Sequence, residues 1–255
     1  LAGDPAEALD NADEFLKGKP LSSYYDEVAL KGLKLAQVDL NREALDAPHL
    51  ELIRDSVIEL VREFEDYEDQ QPKMEPTPDA ESATTGDSVI DAVSYDLPVV
   101  TKEELAQVWR EETPVLCIAG QTGLDKAAAS MLSQILIKHG IGARVEGAES
   151  IATANIFRLE TTGVQVVCVS FLDARSPAQM RYTIRRLRRK LPDAKIVLGC
   201  WMAETDTMLA DTVKADAVTM TLRDAADLCL DLARTQPSKL SNATTPITLA
   251  KVVAP

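Results

Sequence analysis

Short apolar runs alternate with helix-like segments between residues 114 and 233, and this alternation limits the fold more than any other feature of the chain. The first run is too short for a helix and stops at glycine, which is typical of a strand buried on both faces. The predicted strands are 115–119, 143–145, 164–169, 196–199 and 217–220. The predicted helices follow the first loop and then cover 151–159, 178–191, 208–213 and 225–233. Strands joined through helices need crossover connections, so the pattern predicts an α/β fold with a flavodoxin-like, doubly wound, five-stranded parallel sheet.

Three amphipathic segments precede this region. They cover 4–18, then about 22–40, then a stretch that begins at Pro48. Each has an apolar face at helical spacing, and the connections are short. The pattern therefore predicts a small three-helix bundle over residues 1–67.

The rest of the chain divides by composition. Residues 68–99 are acidic, rich in proline, serine and threonine and poor in apolar side chains, so we expect a flexible linker. The α/β domain is then predicted to span 100–235, opening with a short helix at 102–108 that has Thr101 as its cap. Residues 236–255 fit either a disordered tail or a strand laid on another subunit.

The charge excludes some functions. A net charge of -14 argues against a nucleic-acid partner and against broad contact with an anionic membrane. The cysteines form no Cys-x-x-Cys pair, so we expect small buried hydrophobes in a reducing compartment; they are Cys117, Cys168, Cys200 and Cys229. The sequence shows no signal peptide and no apolar run of about 18 residues. Since it begins at Leu1, without Met and in a helix-like segment, we expect a longer polypeptide upstream.

The loop after the first strand is the first candidate ligand site. Two glycines and several backbone donors precede a helix there, which suits an anion or a polar ligand. The alternative is a tight strand-to-helix turn with Thr122 or Asp125 in the first turn of the helix. The candidate residues of this loop are Gln121, Thr122, Gly123 and Asp125.

The loops after the third and fourth strands should reach the same edge of the sheet. Ser170, Asp173 and Arg175 follow the third strand, and Cys200 and Trp201 follow the fourth. They complete the predicted ligand pocket. The alternative is ordinary loop polarity, with a surface ion pair between the aspartate and the arginine. The tryptophan could cover a planar ligand or plug the place where one would bind.

One basic cluster stands out on the acidic chain. Tyr182, Ile184, Leu187 and Leu191 are predicted on the core side of a helix. The predicted interaction residues on its outer side are Arg181, Arg185, Arg188, Arg189 and Lys190. Such a face is usually only solvated, but it could also bind anionic lipid head groups. We favour docking of an acidic element: the linker, the bundle or a second subunit.

Catalytic constellations are not visible. The sequence shows no nucleophile with a base, no metal-ligand set and no paired catalytic carboxylates. His49 and His139 stand at predicted helix ends, where capping explains them. We therefore expect a protein that is not an enzyme and holds no metal.

The order of the elements resembles the cobalamin-binding domain. The resemblance rests on Gly120 after the first strand, on Val-Ser-Phe-Leu at 169–172 and on Val-Leu-Gly-Cys at 197–200. It covers roughly half of the chain and implies the flavodoxin-like fold. Ser170 matches the serine that this family has after its third strand.

The chain departs from that family where the cofactor would bind. The family's first loop reads Asp-x-His-x-x-Gly, and its histidine is the lower axial ligand of cobalt. Aligned on Gly120, this chain has Gln121, Gly123 and Lys126 at those three positions, and Cys200 replaces the second glycine of a Gly-Gly pair. We therefore expect no cofactor, with cobalamin bound without a protein histidine as the alternative.

A second resemblance covers the start of the chain. The pattern Leu-Ala-Gly-Asp-Pro-x-Glu-Ala at 1–8 and the pattern Tyr-Tyr-Asp-Glu-Val-Ala-Leu-x-Gly-Leu-x-Leu-Ala at 24–36 are similar to the segment after the last membrane helix in some bacterial permeases of the autoinducer-2 exporter (PerM-like) family. The resemblance implies a cytoplasmic tail tethered to the membrane domain of the same polypeptide.

These observations predict a non-enzymatic regulatory or sensory module of a bacterial transporter. We expect a small-molecule ligand or a second subunit at the strand-end edge to bias how the bundle and the α/β domain associate. Self-association should be weak, because the chain has few aromatic side chains to anchor a large interface.

Overall fold

The computed structural model describes residues 11–12, 14–17, 19–67, 97–173, 175–203 and 209–234. One sheet holds five parallel strands in the order β2-β1-β3-β4-β5. The strands are β1 (Val115–Ala119), β2 (Ala143–Glu146), β3 (Val166–Phe171), β4 (Lys195–Cys200) and β5 (Ala217–Thr219). This is the flavodoxin-like order, so the predicted fold is confirmed.

Helices cover both faces of the sheet. The helices that follow strands are α3 (Gly123–Lys138), α4 (Pro177–Lys190), α5 (Leu209–Val213) and α6 (Leu222–Arg234). The buried side chains of α3 and α6 belong to the core on one face, and those of α4 and α5 belong to the core on the other. All residues of β1 and β3 are buried, which explains their continuous apolar sequence.

Two helices from the N-terminal part pack on the first of these faces. Helix α1 consists of Leu21–Tyr24, a π-helical turn at Tyr25–Ala29 and Leu30–Asn41, and helix α2 is Ala47–Glu63. Helix α2 packs along α3, and α1 also contacts α6. Buried residues of both helices, such as Tyr25 and Leu60, join the same apolar cluster as α3 and β1. The predicted bundle is thus continuous with the core of the α/β part.

Polar contacts fix this packing. The Gln134 side chain of α3 accepts a hydrogen bond from the Tyr25 hydroxyl and donates one to the backbone carbonyl of Val61 at 2.6 Å. One buried amide therefore joins α1, α2 and α3. The Asp26 carboxylate of α1 accepts from the backbone N–H groups of Leu222 and Arg223 at the start of α6.

Two predicted helices are wrong. Segment 151–159 starts at the last residue of one short 3₁₀ turn, Ala148–Ile151, and contains a second, Ile156–Arg158. The side chains of Ser150 and Asn155 donate to the nearby backbone carbonyls of Gly147 and Glu149, and such local hydrogen bonds compete with a helix. Segment 102–108 is a turn followed by a 3₁₀ turn. Its cap still forms in part, since the Glu104 carboxylate accepts from the Thr101 N–H at 2.7 Å.

Other predictions fall outside the described ranges. These are most of the first bundle helix at 4–18, nearly all of the linker at 68–99 and the tail at 236–255. Among the described helices, none is both long enough and apolar enough to cross a bilayer.

Candidate functional site

The first loop is held by a capping box at the start of α3. The Thr122 hydroxyl accepts from the Asp125 N–H at 3.2 Å, and the Asp125 carboxylate accepts from the N–H groups of Gln121 and Thr122, both at 2.9 Å. These bonds satisfy donors that a helix start otherwise leaves free. The structure thus shows the tight strand-to-helix turn that the sequence offered as the alternative.

Asp125 also ties this loop to the next strand. Its other carboxylate oxygen accepts from the backbone N–H of Leu172 at 2.7 Å, just after β3. The side chain is buried, and burial raises its pKa although the hydrogen bonds from Thr122, Leu172 and Gln121 act in the opposite direction. With its oxygens used by three backbone donors and its surface covered, Asp125 positions the loop rather than facing a ligand.

Aromatic rings close the strand ends. The Phe171 ring lies 2.5 Å from where a Cβ of residue 120 would be, so Gly120 leaves the space that this ring fills. The Trp201 ring lies in the same way over Gly199. Both aromatic side chains are almost fully buried. The space over Gly120 and Gly199 is therefore filled by the chain's own rings, Phe171 on one face of the sheet and Trp201 on the other.

Buried polar atoms without partners lie near Trp201 at the ends of the strands. Ser170, Gly199 and Thr219 are register neighbours on β3, β4 and β5. Within the described part of the chain, Ser170 Oγ, Thr219 Oγ1 and Trp201 Nε1 are buried and have no hydrogen-bond partner. Buried polar groups are usually paired, so this row suggests an additional polar partner at the strand ends.

The remaining predicted residues at the strand ends are accounted for locally. Asp173 and Arg175 form an ion pair at 2.6 Å, and the carboxylate also accepts from the backbone N–H of Arg175. Arg175 is mostly exposed, so the pair contributes little to stability. Cys200 is buried in the core of the second face. None of these three residues lines the cavity described below.

A cavity of about 640 Å³ lies instead on the outer side of the first loop. Helix α2 forms one wall, the first loop and the start of α3 form another, and the segment after β2 completes it. It is lined by Arg54, Asp55, Ile58, Glu59, Arg62, Gln121, Thr122, Gly123, Lys126, Gly147, Ala148 and Glu149. Of the predicted ligand residues, Gln121, Thr122 and Gly123 reach this cavity.

Charges of both signs line the cavity. Arg54 pairs with Asp55 at 2.8 Å, and this hydrogen bond lowers the pKa of the Asp55 carboxyl. The Arg54 alkyl chain also covers Gly123, with Cδ 2.9 Å from where a Cβ would be. Arg62 and Lys126 add two more cations, and Glu59 and Glu149 add two more carboxylates. The cavity therefore suits a small polar molecule that carries both a negative and a positive group.

Sequence reasoning missed the α2 side of this cavity. Arg54, Glu59 and Arg62 lie on the polar face of an amphipathic helix, which looks only solvated in the sequence. The contact between α2 and α3 brings them to the loop. Only that tertiary contact distinguishes them from other surface charges.

The residues fit cobalamin poorly. Gly123 offers no imidazole to cobalt, and the space beside it holds the Arg54 side chain. Trp201 covers Gly199, the position that matches the family's first strand-end glycine. Ser170 is the matching residue that keeps an unused polar atom.

Some side chains of the basic cluster on α4 already have partners within the chain. Arg188 pairs with Asp216 at 2.7 Å, and Lys190 donates to the backbone carbonyl of Phe157. Arg185 and Arg189 are exposed, while Arg181 is half-buried. The structure corrects one assignment: Tyr182 is 57% exposed, and Met180, Thr183, Ile184 and Leu187 form the core side of α4.

Comparison with known proteins gives little beyond the fold. No protein-family model matches the chain, and no curated protein matches it. A solved structure of a novel cobalamin-binding protein from Desulfitobacterium hafniense DCB-2 aligns with 89% of this chain and 92% of its own, at 10% identity and a TM-score of 0.39. This likeness is too distant to carry an argument about the ligand. The fold assignment follows from the strand order itself.

Proposed function

We propose that this chain is a non-enzymatic regulatory module in which a small polar ligand controls how helix α2 packs on the α/β part. The cavity between α2 and the first loop carries this proposal, because its walls come from both parts of the chain. A ligand that contacts both walls binds the packed arrangement more tightly than a loosened one. Its binding therefore shifts the population toward the packed state.

The charges of the cavity define the ligand class. Arg62 and Lys126 can bind a carboxylate or a phosphate, and Glu59 and Glu149 can bind an amine. A free amino acid or a similar small zwitterion satisfies both sets. A strongly anionic or strongly cationic compound would leave one set facing a like charge.

The proposed biological setting is a bacterial transporter. Here the module would be the cytoplasmic tail of a PerM-like permease, tethered to the membrane domain of the same polypeptide. The similarity of residues 1–36 to the segment after the last membrane helix of such permeases supports this setting. In that arrangement the ligand would report a cytoplasmic concentration to the membrane domain.

Nuclear magnetic resonance of the isotope-labelled chain tests the ligand site. Free amino acids are added singly, and the backbone amides of Gln121 and Gly123 are followed. We expect at least one amino acid to shift these signals and to slow hydrogen exchange in helix α2. If no amino acid shifts any signal of the first loop, the proposed site is wrong.

Matched variants separate this cavity from the rest of the surface. Replacing both Arg62 and Lys126 with alanine should abolish the shifts, because the carboxylate of the ligand loses its partners. The control replaces Lys31 of α1 and Arg42, the residue after it, with alanine and changes the net charge equally. Equal binding by both variants would place the ligand elsewhere.

Corrinoid binding without a protein histidine is the second candidate. The unpaired Ser170 Oγ favours it, and the Trp201 ring over Gly199 opposes it. Absorbance after mixing with cobalamin and removing free cofactor decides the matter. A retained red colour that is lost in Ser170→Leu would support this candidate, and a colourless protein would exclude it.

A further inference from the structure

Helix α4 presents a cationic surface for which the described ion pairs give one acidic partner, Asp216. Its fourteen residues include five arginines and one lysine and no acidic residue, in a chain of net charge -14. Met180, Thr183, Ile184 and Leu187 face the sheet, so the cations lie on the flanks and the outer side. The bundle packs on the opposite face of the sheet, and it cannot cover this helix.

The flanking cations serve the domain itself, whereas the central ones do not. Arg188 is fixed by Asp216 and Lys190 by the carbonyl of Phe157. Arg185 and Arg189 are exposed at the centre of the outer side. Asp216 therefore neutralises one flank of α4 and does not reach Arg185 or Arg189 in the described ion pairs.

Two exposed aromatic side chains stand beside these arginines. Tyr182, on α4, is 57% exposed, and Phe157, on the adjacent 3₁₀ turn, is 65% exposed. Each ring has a guanidinium nearby, Arg186 at 5.3 Å from the Tyr182 ring centre and Arg158 at 5.4 Å from that of Phe157. Arg186 also donates to the Tyr182 hydroxyl and to Thr153, which joins the turn to the helix.

We propose that this surface, formed by Phe157, Arg158, Tyr182, Arg185, Arg186 and Arg189, docks on the anionic surface of a lipid bilayer. Arginines bind the phosphate groups of the lipids, and the two rings enter the interfacial layer where aromatic side chains are favoured. The inference does not depend on the ligand cavity, which lies elsewhere on the chain.

The geometry favours a bilayer over the other polyanions. A nucleic acid would stack bases on the two rings, but a guanidinium already lies over each ring. The overall charge of -14 confines contact with any extended anion, a bilayer included, to this one surface. A bilayer can contact this surface alone, because helix α4 and the turn at Ile156–Arg158, which Lys190 joins through the carbonyl of Phe157, expose arginines and two aromatic rings together.

Vesicle co-sedimentation of the full 255-residue chain tests the proposal. One set of vesicles is pure phosphatidylcholine, and the other contains phosphatidylcholine and phosphatidylglycerol in equal amounts. We expect binding to the anionic vesicles alone, and we expect it to weaken as salt is added because the contacts are electrostatic. Equal binding to both sets, or binding to neither, would overturn the proposal.

Variants locate the contact. Arg185→Gln with Arg189→Gln should weaken binding about thirtyfold, since each arginine near an anionic surface contributes roughly fivefold. The control, Lys31→Gln with Arg42→Gln, removes the same charge from exposed positions in α1 and at its C-terminal end and should leave binding unchanged. Equal losses in the two variants would mean that net charge alone acts, which would overturn the docking surface.

The aromatic rings give a second readout that does not depend on charge. Phe157→Ala with Tyr182→Ala should weaken binding by a similar factor at every salt concentration, whereas the exposed control Leu35→Ala should have no effect. Circular dichroism checks that each variant keeps its helices. Binding of the wild-type chain to polyglutamate in place of the vesicles would assign the surface to an acidic polypeptide and overturn the lipid proposal.

Discussion

The carboxylate of Asp26 accepts a hydrogen bond from the backbone N–H of Leu222 at 2.8 Å, although the two residues lie 196 positions apart. Its second oxygen accepts from the N–H of Arg223 at 3.1 Å. Both donors belong to the first turn of α6, where no intrahelical acceptor exists. A residue of the N-terminal bundle thus caps a helix of the α/β part.

Replacing Asp26 with alanine should lower the free energy of unfolding by about 1 kcal/mol at neutral pH. Two backbone donors lose their acceptor, while relief of the buried charge offsets part of the loss. Urea unfolding followed by circular dichroism measures the change. Thr221→Ala is the matched control, because Thr221 caps the same helix locally through the Asp224 N–H at 3.0 Å. Unchanged stability of the Asp26 variant would show that this cap is not needed.

The same carboxylate should make stability depend on pH. Burial and, to a smaller extent, the charge of Asp224 raise the Asp26 pKa to about 6. The hydrogen bonds from α6 and the charge of Lys34 act in the opposite direction. The folded state therefore binds this proton more tightly than the unfolded state, whose pKa is near 3.8. The resulting stabilisation is complete below about pH 4 and is lost as the pH rises through about 6.

Subtracting a reference variant isolates this group from the other carboxylates. The unfolding free energy of the wild-type chain minus that of Asp26→Asn should fall between about pH 4 and about pH 6 and stay level above that range. A flat difference over the whole range would contradict the buried environment of Asp26.

The hydrogen bond between Tyr25 and Gln134 should couple the bundle to the α/β part. A double-mutant cycle with Tyr25→Phe and Gln134→Leu should give a coupling energy of about 1 kcal/mol in urea unfolding. Gln37→Leu is the control, because that buried glutamine bonds Asn41 within α1. A coupling no larger than that with Gln37 would mean that the bond across the interface contributes nothing.

The effects of substitutions at Trp201 and Gly199 on the free energy of unfolding should be strongly non-additive. Trp201→Ala should lower the unfolding free energy by about 3 to 5 kcal/mol, since it empties a filled site. Gly199→Ala should also destabilise, because its new methyl group would meet the Trp201 ring. In the double variant the ring is absent and the methyl group has room, so its stability should be close to that of Trp201→Ala. Simple addition of the two effects would contradict the contact.

Much of the fold could be predicted because the central strands are buried on both faces and are almost entirely apolar. Residues 115–119 and 166–171 are buried throughout, are apolar except for Ser170, and end near glycine or a loop, which is typical of strands in a covered parallel sheet. Segment 151–159 was less informative, because apolar residues at helical spacing, such as Ala152, Ile156 and Leu159, can also come from successive 3₁₀ turns. The register row of Ser170 and Gly199 likewise follows from the strand order.

The candidate site could be predicted only in part. The sequence Thr-x-x-Asp at 122–125 already contains a capping pattern, and the structure shows that this local use occupies Asp125. The α2 wall of the cavity depends on packing between distant segments, and so does the capping by Asp26, so local sequence patterns could not show either. Tyr182 fits the core side of α4 by polarity, but the helix is rotated so that Met180 and Thr183 take that side.

The shared interior of the two parts has a practical consequence. If the chain were cut after Tyr67, the second piece would keep all five strands but would uncover the outer side of α3, including the amide of Gln134. The first piece would keep its cluster of aromatic rings around Phe64 but would lose α3, against which its helices pack. Neither piece would be a self-sufficient globule, so evolution can lengthen or shorten the stretch between them more easily than it can discard either one.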